Sequence, residues 1–173
     1  MNEQTVAMGS ITNAIVNALH NRDTVLADFP RRDELTGLQD SAFYPLSIYL
    51  DLCDFLEDRL GVYAFLRVGR RMARVVMDAA FPPTLKTVAE AIAELHMAHV
   101  LFCKPVIGAI AVVDPTPGRL AVRYTAPYNC TLQEGLFYEV ALRYGADGAT
   151  VSHAECRRKG LDACRFEIRY SPA

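Results

Sequence analysis

Four side chains in the last third of the chain are of the types that hold a soft metal ion: Cys130, His153, Cys156 and Cys164. Zinc takes four nitrogen or sulfur donors in a tetrahedron, and a set of three cysteines and one histidine meets that demand as a structural site. Glu155 is the alternative fourth donor. Two further readings of the same residues stand beside the metal. Cysteine is often simply a small buried apolar residue, and a thiol cluster can act as a redox sensor without any ion. The spacing is not the paired C-x-x-C of a zinc ribbon, so the surrounding elements must show how the donors could meet.

Thr131-Leu132-Gln133-Glu134 has the pattern of a capping box and predicts a helix running to Tyr144, closed by Gly145. Cys130 then lies just before the helix start, where unpaired N–H groups and the helix dipole favour a thiolate. Ala149 to Cys156 and Cys164 to Tyr170 predict a hairpin, so Cys156 and Cys164 face each other across the mouth of the loop Arg157 to Ala163. His153 precedes Cys156 by three residues. Strict strand alternation sends the two to opposite faces, so the strand must bend or bulge between them.

The elements before this region are mostly helical. Ile11, Ile15, Leu19 and Leu26 keep a helical rhythm, and Pro30 to Ala42 reads as a loop. A second helix opens at Pro45 with a stripe of Leu46, Tyr49, Leu50, Cys53 and Leu56, and it ends at Gly61. Tyr63 to Ala80 repeats the pattern until Pro82-Pro83 stops it, and Thr84 begins a helix reaching about Leu101. After Pro105 the rhythm changes. Val106 to Val113 and Arg119 to Tyr124 flank a turn-rich segment and predict a first hairpin. The expected fold is α+β, with N-terminal helices packed on a four-stranded antiparallel sheet and one helix between its two hairpins. One domain of 173 residues is expected, helical over 1–104 and sheet-forming over 105–173.

Composition excludes several classes of function. A net charge of −2 offers no electrostatic reason for nucleic acid or an anionic membrane as partner. The longest apolar run, Val100 to Val113, is broken by Lys104 and Pro105 and is too short to span a bilayer. Met1 to Gln4 lacks the layout of a signal peptide, so a cytoplasmic location with reduced thiols is expected. No Ser/His/Asp set, phosphate loop or apolar carboxylate pair is present, and the expectation is a binding protein rather than an enzyme. Asp51, Asp54, Glu57 and Asp58 read as a solvated helix face, and Arg70-Arg71 and Arg157-Arg158-Lys159 as solvent-facing basic runs. Cys103 reads as a buried cysteine at the start of a strand, and His20 as a solvated helix residue.

Cys130-x4-Gly135, Tyr144-Gly145-Ala146 and His153-x2-Cys156-x3-Gly160-x3-Cys164-Arg165-Phe166 resemble the C-terminal signature of vinyl-4-reductase domains. That resemblance implies a zinc-binding sensory module. In the aromatic-sensing regulators of that group a cysteine, an acid and two cysteines bind zinc, and the matching positions are Cys130, His153, Cys156 and Cys164, with histidine in place of the acid. Tyr44-Pro45-Leu46, Leu60-Gly61, Val68-Gly69-Arg70, Glu94-Leu95-His96 and Leu120-x-Val122-x-Tyr124 are similar in order and spacing to the haem-nitric-oxide/oxygen-binding (H-NOX) domains of the same superfamily. This second resemblance implies haem, with His96 as the proximal ligand and Tyr124 at the start of the Tyr-x-Ser-x-Arg motif that holds the propionates. Here that motif reads Tyr124-Thr125-Ala126-Pro127-Tyr128, without the serine and the arginine, and Arg123 or Arg70-Arg71 would have to substitute. His99, one turn from Leu95, faces either the same interior or solvent.

The functional expectation is a module that senses a small ligand or haem between helices and sheet and carries a structural zinc. It would signal through a separate effector protein or a homodimer surface. The rivals are a haem-free interaction or apolar-ligand domain and a zinc-thiolate redox sensor.

Overall fold

A computed structural model describes residues 5–171. Met1 to Gln4, and with them the reading of the N-terminus, lie outside the described residues. The chain runs β1 (Val6–Met8), α1 (Gly9–Ala18), α2 (Arg22–Val25), β2 (Phe43–Pro45), α3 (Leu46–Leu60), α4 (Val62–Ala80) and α5 (Val88–Phe102). It continues through β3 (Cys103–Lys104), β4 (Ile110–Thr116), β5 (Arg119–Tyr124), α6 (Cys130–Tyr144), β6 (Ala146–Glu155) and β7 (Cys164–Ser171). The α+β architecture is as expected: β4-β5-β7-β6 form one antiparallel sheet, and helices cover it. A second sheet, β2-β1-β3, ties the start of the chain to the ends of the loop before α3 and of α5. Its strands are two or three residues long, too short to show period-two patterning in the sequence.

The inner face of the large sheet follows the alternation of its strands. Leu120, Val122 and Tyr124 on β5 stand opposite Ile168, Phe166 and Cys164 on β7, and all six are buried. Phe137 of α6 packs edge-on against Tyr124 and Phe166, with ring centroids 6.2 and 5.1 Å away. Each such pair adds about 1 kcal/mol beyond the burial of apolar area.

Several boundaries differ from the sequence reading. The helix expected over Ile11 to Leu26 breaks after Ala18, because Asn21 takes a left-handed conformation and turns the chain so that Leu26 and Phe29 reach the core. The helix expected from Thr84 starts four residues later. There Thr87 and Glu90 cap each other's backbone N–H groups, a capping box that the sequence reading passed over. Val106 to Ala109 are loop rather than strand, since Gly108 sits at φ 74° with its backbone against that of Thr125. Pro45 caps α3 instead of occupying its first turn.

The expected capping box at Thr131 does not form. Asn129 caps α6 by accepting from the N–H groups of Thr131 and Leu132, so Cys130 is the first residue of the helix rather than its predecessor. The Thr131 hydroxyl is committed elsewhere, donating to Glu57 of α3.

The packing of α4 on α6 positions both halves of the domain. Phe65, Val68, Met72, Ala73 and Met77 turn the apolar face of α4 inward. The two helices meet at backbone contact: a methyl on Gly69 would overlap the Leu132 carbonyl, and one on Gly135 the Leu66 carbonyl. Only glycine allows that approach. Gly135→Ala is therefore expected to destabilise the fold by about 1–3 kcal/mol, the usual cost of overpacking, whereas Gly160→Asn at an open left-handed turn should cost less. Chemical-denaturation midpoints of the two variants check the order.

Candidate metal centre

The four expected donors converge. The ligand atoms of Cys130, His153, Cys156 and Cys164 all lie within 4.8 Å of one another. Three elements deliver them: the first residue of α6, the end of β6 with its following residue, and the first residue of β7. The bend required between His153 and Cys156 is present as a bulge. On β6, His153 pairs with Phe166 and Glu155 with Arg165, so two steps on one strand match one on the other. Ala154 is the extra residue, and it lets His153 and Cys156 reach the same cluster. Glu155 is exposed and outside the set.

The chemistry of the set fits zinc. Cys130 and Cys164 are buried with sulfurs 3.3 Å apart, and no disulfide joins them. The His153 ring stacks on Phe166 with centroids 4.4 Å apart, and its buried Nε2 has no hydrogen-bond partner among the described residues. An orphaned donor among thiols is the arrangement a metal ion completes. Burial holds the His153 imidazole below its ordinary pKa, which keeps it in the neutral, ligating form. Burial and the neighbouring thiols push Cys130 up, so without a cation the cluster resists ionising. A divalent ion reverses that balance. The Arg157 N–H already points at the Cys164 sulfur at 3.4 Å, the type of outer contact that steadies a thiolate.

In the basic run after Cys156, Arg158 and Lys159 are exposed as expected, but Arg157 is half-buried and both arginines are bonded. Arg157 donates to the carbonyls of Thr125 and Ala126 at 2.9 and 2.5 Å. Arg158 bridges to Glu57 and Asp54 of α3 at 2.7 and 3.0 Å. Asn129 donates its amide to the same two carboxylates at 2.9 and 3.3 Å. Burial raises the Glu57 carboxyl, but hydrogen bonds from Thr131, Arg158 and Asn129 outweigh it and hold it below the usual range. Asp54 and Glu57 are therefore not a purely solvated face; they bolt α3 to both halves of the metal centre. The sequence signal was modest: Asn-Cys-Thr at a helix start, and a basic run beside a ligand.

The interior between helices and sheet follows a different plan from the one expected. The cavity there measures about 50 Å³ and is lined by Tyr49, Met72, Leu95, His99, Phe102 and Tyr128 among others. His96 is not among them. At 100° per residue, Leu95, Ala98, His99 and Phe102 share one face of α5, and His96 points roughly 110° away. It is half-buried, and its Nδ1 accepts weakly from the Ile110 N–H at 3.4 Å. His99 is the interior histidine. Its Nε2 lies 3.1 Å from the Ile107 carbonyl, which can only accept, so Nε2 carries the proton and Nδ1 accepts from the Tyr128 hydroxyl at 2.8 Å.

These residues do not fit a porphyrin. A pocket for a drug-sized ligand measures roughly 300 Å³ or more, several times this cavity. Both ring nitrogens of His99 are engaged. The position where the propionate motif has arginine holds Tyr128, whose buried ring packs edge-on against Tyr49 and His99. Tyr124 is fully buried in the aromatic cluster under α6, with no partner for its hydroxyl among the described residues. Arg123 is exposed on β5 and Arg70 pairs with Glu139, so neither serves as the missing guanidinium. Cys103 is buried at the start of β3 as expected, and His20 is exposed as expected but lies between α1 and α2 rather than in a helix.

No family model matches the sequence, and no curated protein does. Solved structures do. An H-NOX protein from S. oneidensis in the Fe(II)NO ligation state superposes with a TM-score of 0.74 at 16% identity, over 95% of this chain and 99% of that one. An Fe(II) unliganded H-NOX protein from K. algicida superposes with a TM-score of 0.70 at 14% identity, over 96% and 97% of the two chains. No helix among the described residues is long and apolar enough to cross a membrane. The near-complete coverage in both directions identifies the architecture: this chain has the fold of the H-NOX domains.

Proposed function

We propose that the chain is a regulatory binding domain of H-NOX architecture, built around a structural zinc centre and working without porphyrin. The observation that carries this reading is the convergence of Cys130, His153, Cys156 and Cys164 within 4.8 Å, next to an interior too small and too fully bonded for haem. Zinc held by these residues supplies a closed, redox-inert clamp with no open coordination position for turnover. The residues around it do the coupling. Arg158, Asn129 and Thr131 carry any change at the metal end to Asp54 and Glu57, and hence to α3. Output then passes to a separate effector or to a second copy of the chain.

The 3.3 Å between the Cys130 and Cys164 sulfurs favours a second reading, a redox sensor. Peroxide, a two-electron oxidant, would join the two thiols as a disulfide, leave water, and remove two of the four metal donors.

Metal analysis of purified protein should find about one zinc per chain, and the Cys156→Ser/Cys164→Ser double variant should lose it. Zinc retained by that variant would sink the assignment. Protein produced with haem supply should show no Soret band. A band abolished by His96→Ala or His99→Ala would overturn the haem-free reading. Zinc released by mild peroxide and rebound after reduction would select the redox sensor, and retention would eliminate it.

Burial also holds the His99 imidazole below its ordinary pKa. A base lowered in the folded state stabilises the fold above its unfolded pKa of about 6.5, and that contribution is lost as pH falls from there through the folded value. Stability at constant zinc content should therefore decline below about pH 6.5, and His99→Gln should flatten the decline. Denaturation midpoints across that window check it.

A further inference from the structure

Helix α4 carries four arginines in two pairs with opposite fates. Arg70 and Arg74 close on Glu139 at 2.9 and 2.6 Å. Arg67 and Arg71, one turn apart on the adjoining stripe about 60° around the helix, meet no carboxylate among the described residues. They stand instead over a cleft of about 360 Å³, the largest of the cavities described and within the usual size range for a small-molecule site. Its apolar surface comes from Leu19, Val25, Leu60 and Val68, with His20 at the rim, and no acidic side chain lines it.

The break after α1 builds this cleft. The left-handed Asn21 folds α2 back so that Val25 faces the α3–α4 corner, which Gly61 turns at φ 78°. Arg71 is held in place by one bond, donating from Nη1 to the Ala18 carbonyl at 3.2 Å, a group left without a helical partner at the end of α1. The remaining donors of Arg71 and all those of Arg67 have no side-chain partner among the described residues. Guanidinium groups that are charged, forked and partly fixed suit the planar geometry of a carboxylate.

A cationic rim over an apolar floor is the complement of a molecule with an apolar body and a single anionic end. We propose that this cleft is a binding site for an apolar carboxylate of the medium-chain fatty acid class. The head group sits on Arg67 and Arg71, and the chain lies along Leu19, Val25, Leu60 and Val68. The site is separate from the zinc centre and from the cavity at His99, and it does not depend on the metal assignment. A free phosphate would use the arginines but not the floor, and an uncharged alcohol the floor but not the arginines.

Isothermal titration of the full chain tests this with sodium decanoate, decanol, acetate and inorganic phosphate as separate probes. Decanoate should bind at least about tenfold more tightly than the other three. The Arg67→Ala/Arg71→Ala variant should bind decanoate no better than decanol, with its circular dichroism unchanged. Leu60→Gln, which keeps both arginines, should weaken decanoate and leave acetate where it was. No decanoate binding, decanoate binding indifferent to the double substitution, or phosphate binding as tight as decanoate would overturn the proposal.

Discussion

The backbone contact between α4 and α6 is the constraint from which the rest of the domain is built. Gly69 lies against the Leu132 carbonyl and Gly135 against that of Leu66, so the two helices are locked at a separation that a single methyl group would disturb. One candidate metal donor and the arginines of the cleft are carried by this pair. Cys130 opens α6, and the arginines that face the unpaired cleft ride on α4. Interiors packed this tightly deform little, so a displacement at one end of such a pair is transmitted rather than absorbed.

A second layer of order is electrostatic. Glu57 accepts from Thr131, Asn129 and Arg158, gathering α3, the start of α6 and the loop after Cys156 around one carboxylate. Glu139 does the same for Arg70 and Arg74; burial raises its carboxyl, and the two guanidiniums outweigh that and hold it charged. Both carboxylates are mostly enclosed, where a charge costs stability unless it is fully partnered. Each is partnered by more than one donor, which makes these networks devices of geometry more than of affinity.

Much of this was legible in the residues. The alternation of β5 and β7 and the closing glycines of α3 and α6 were readable, because each is a local pattern with a local cause. The four candidate donors were readable from residue type, although they are spread over three elements. The bulge at Ala154 was implied by parity alone, since His153 and Cys156 could not otherwise share a site. What stayed hidden was long-range. Asn129 caps α6 in place of Thr131, whose hydroxyl donates to a partner 74 positions away on α3. His96 looked interior from its apolar neighbours, but which face of α5 meets the cavity is fixed by helix phase against the sheet, and that phase favours His99. The three short strands carry too few residues to show any period.

The position of the four donors has a topological consequence. Cys130 and Cys164 are separated by 34 positions, and the fold already brings their sulfurs together. The loop-closure entropy that an ion would otherwise have to overcome has been met by chain packing before the ion arrives. Capture by the folded chain is then a one-step event, whereas an unfolded chain would have to search. The converse also holds: with an ion in place, the last hairpin cannot peel away from α6 without rupturing a coordinate bond. Helix and hairpin, separate in sequence, become a single unit of opening.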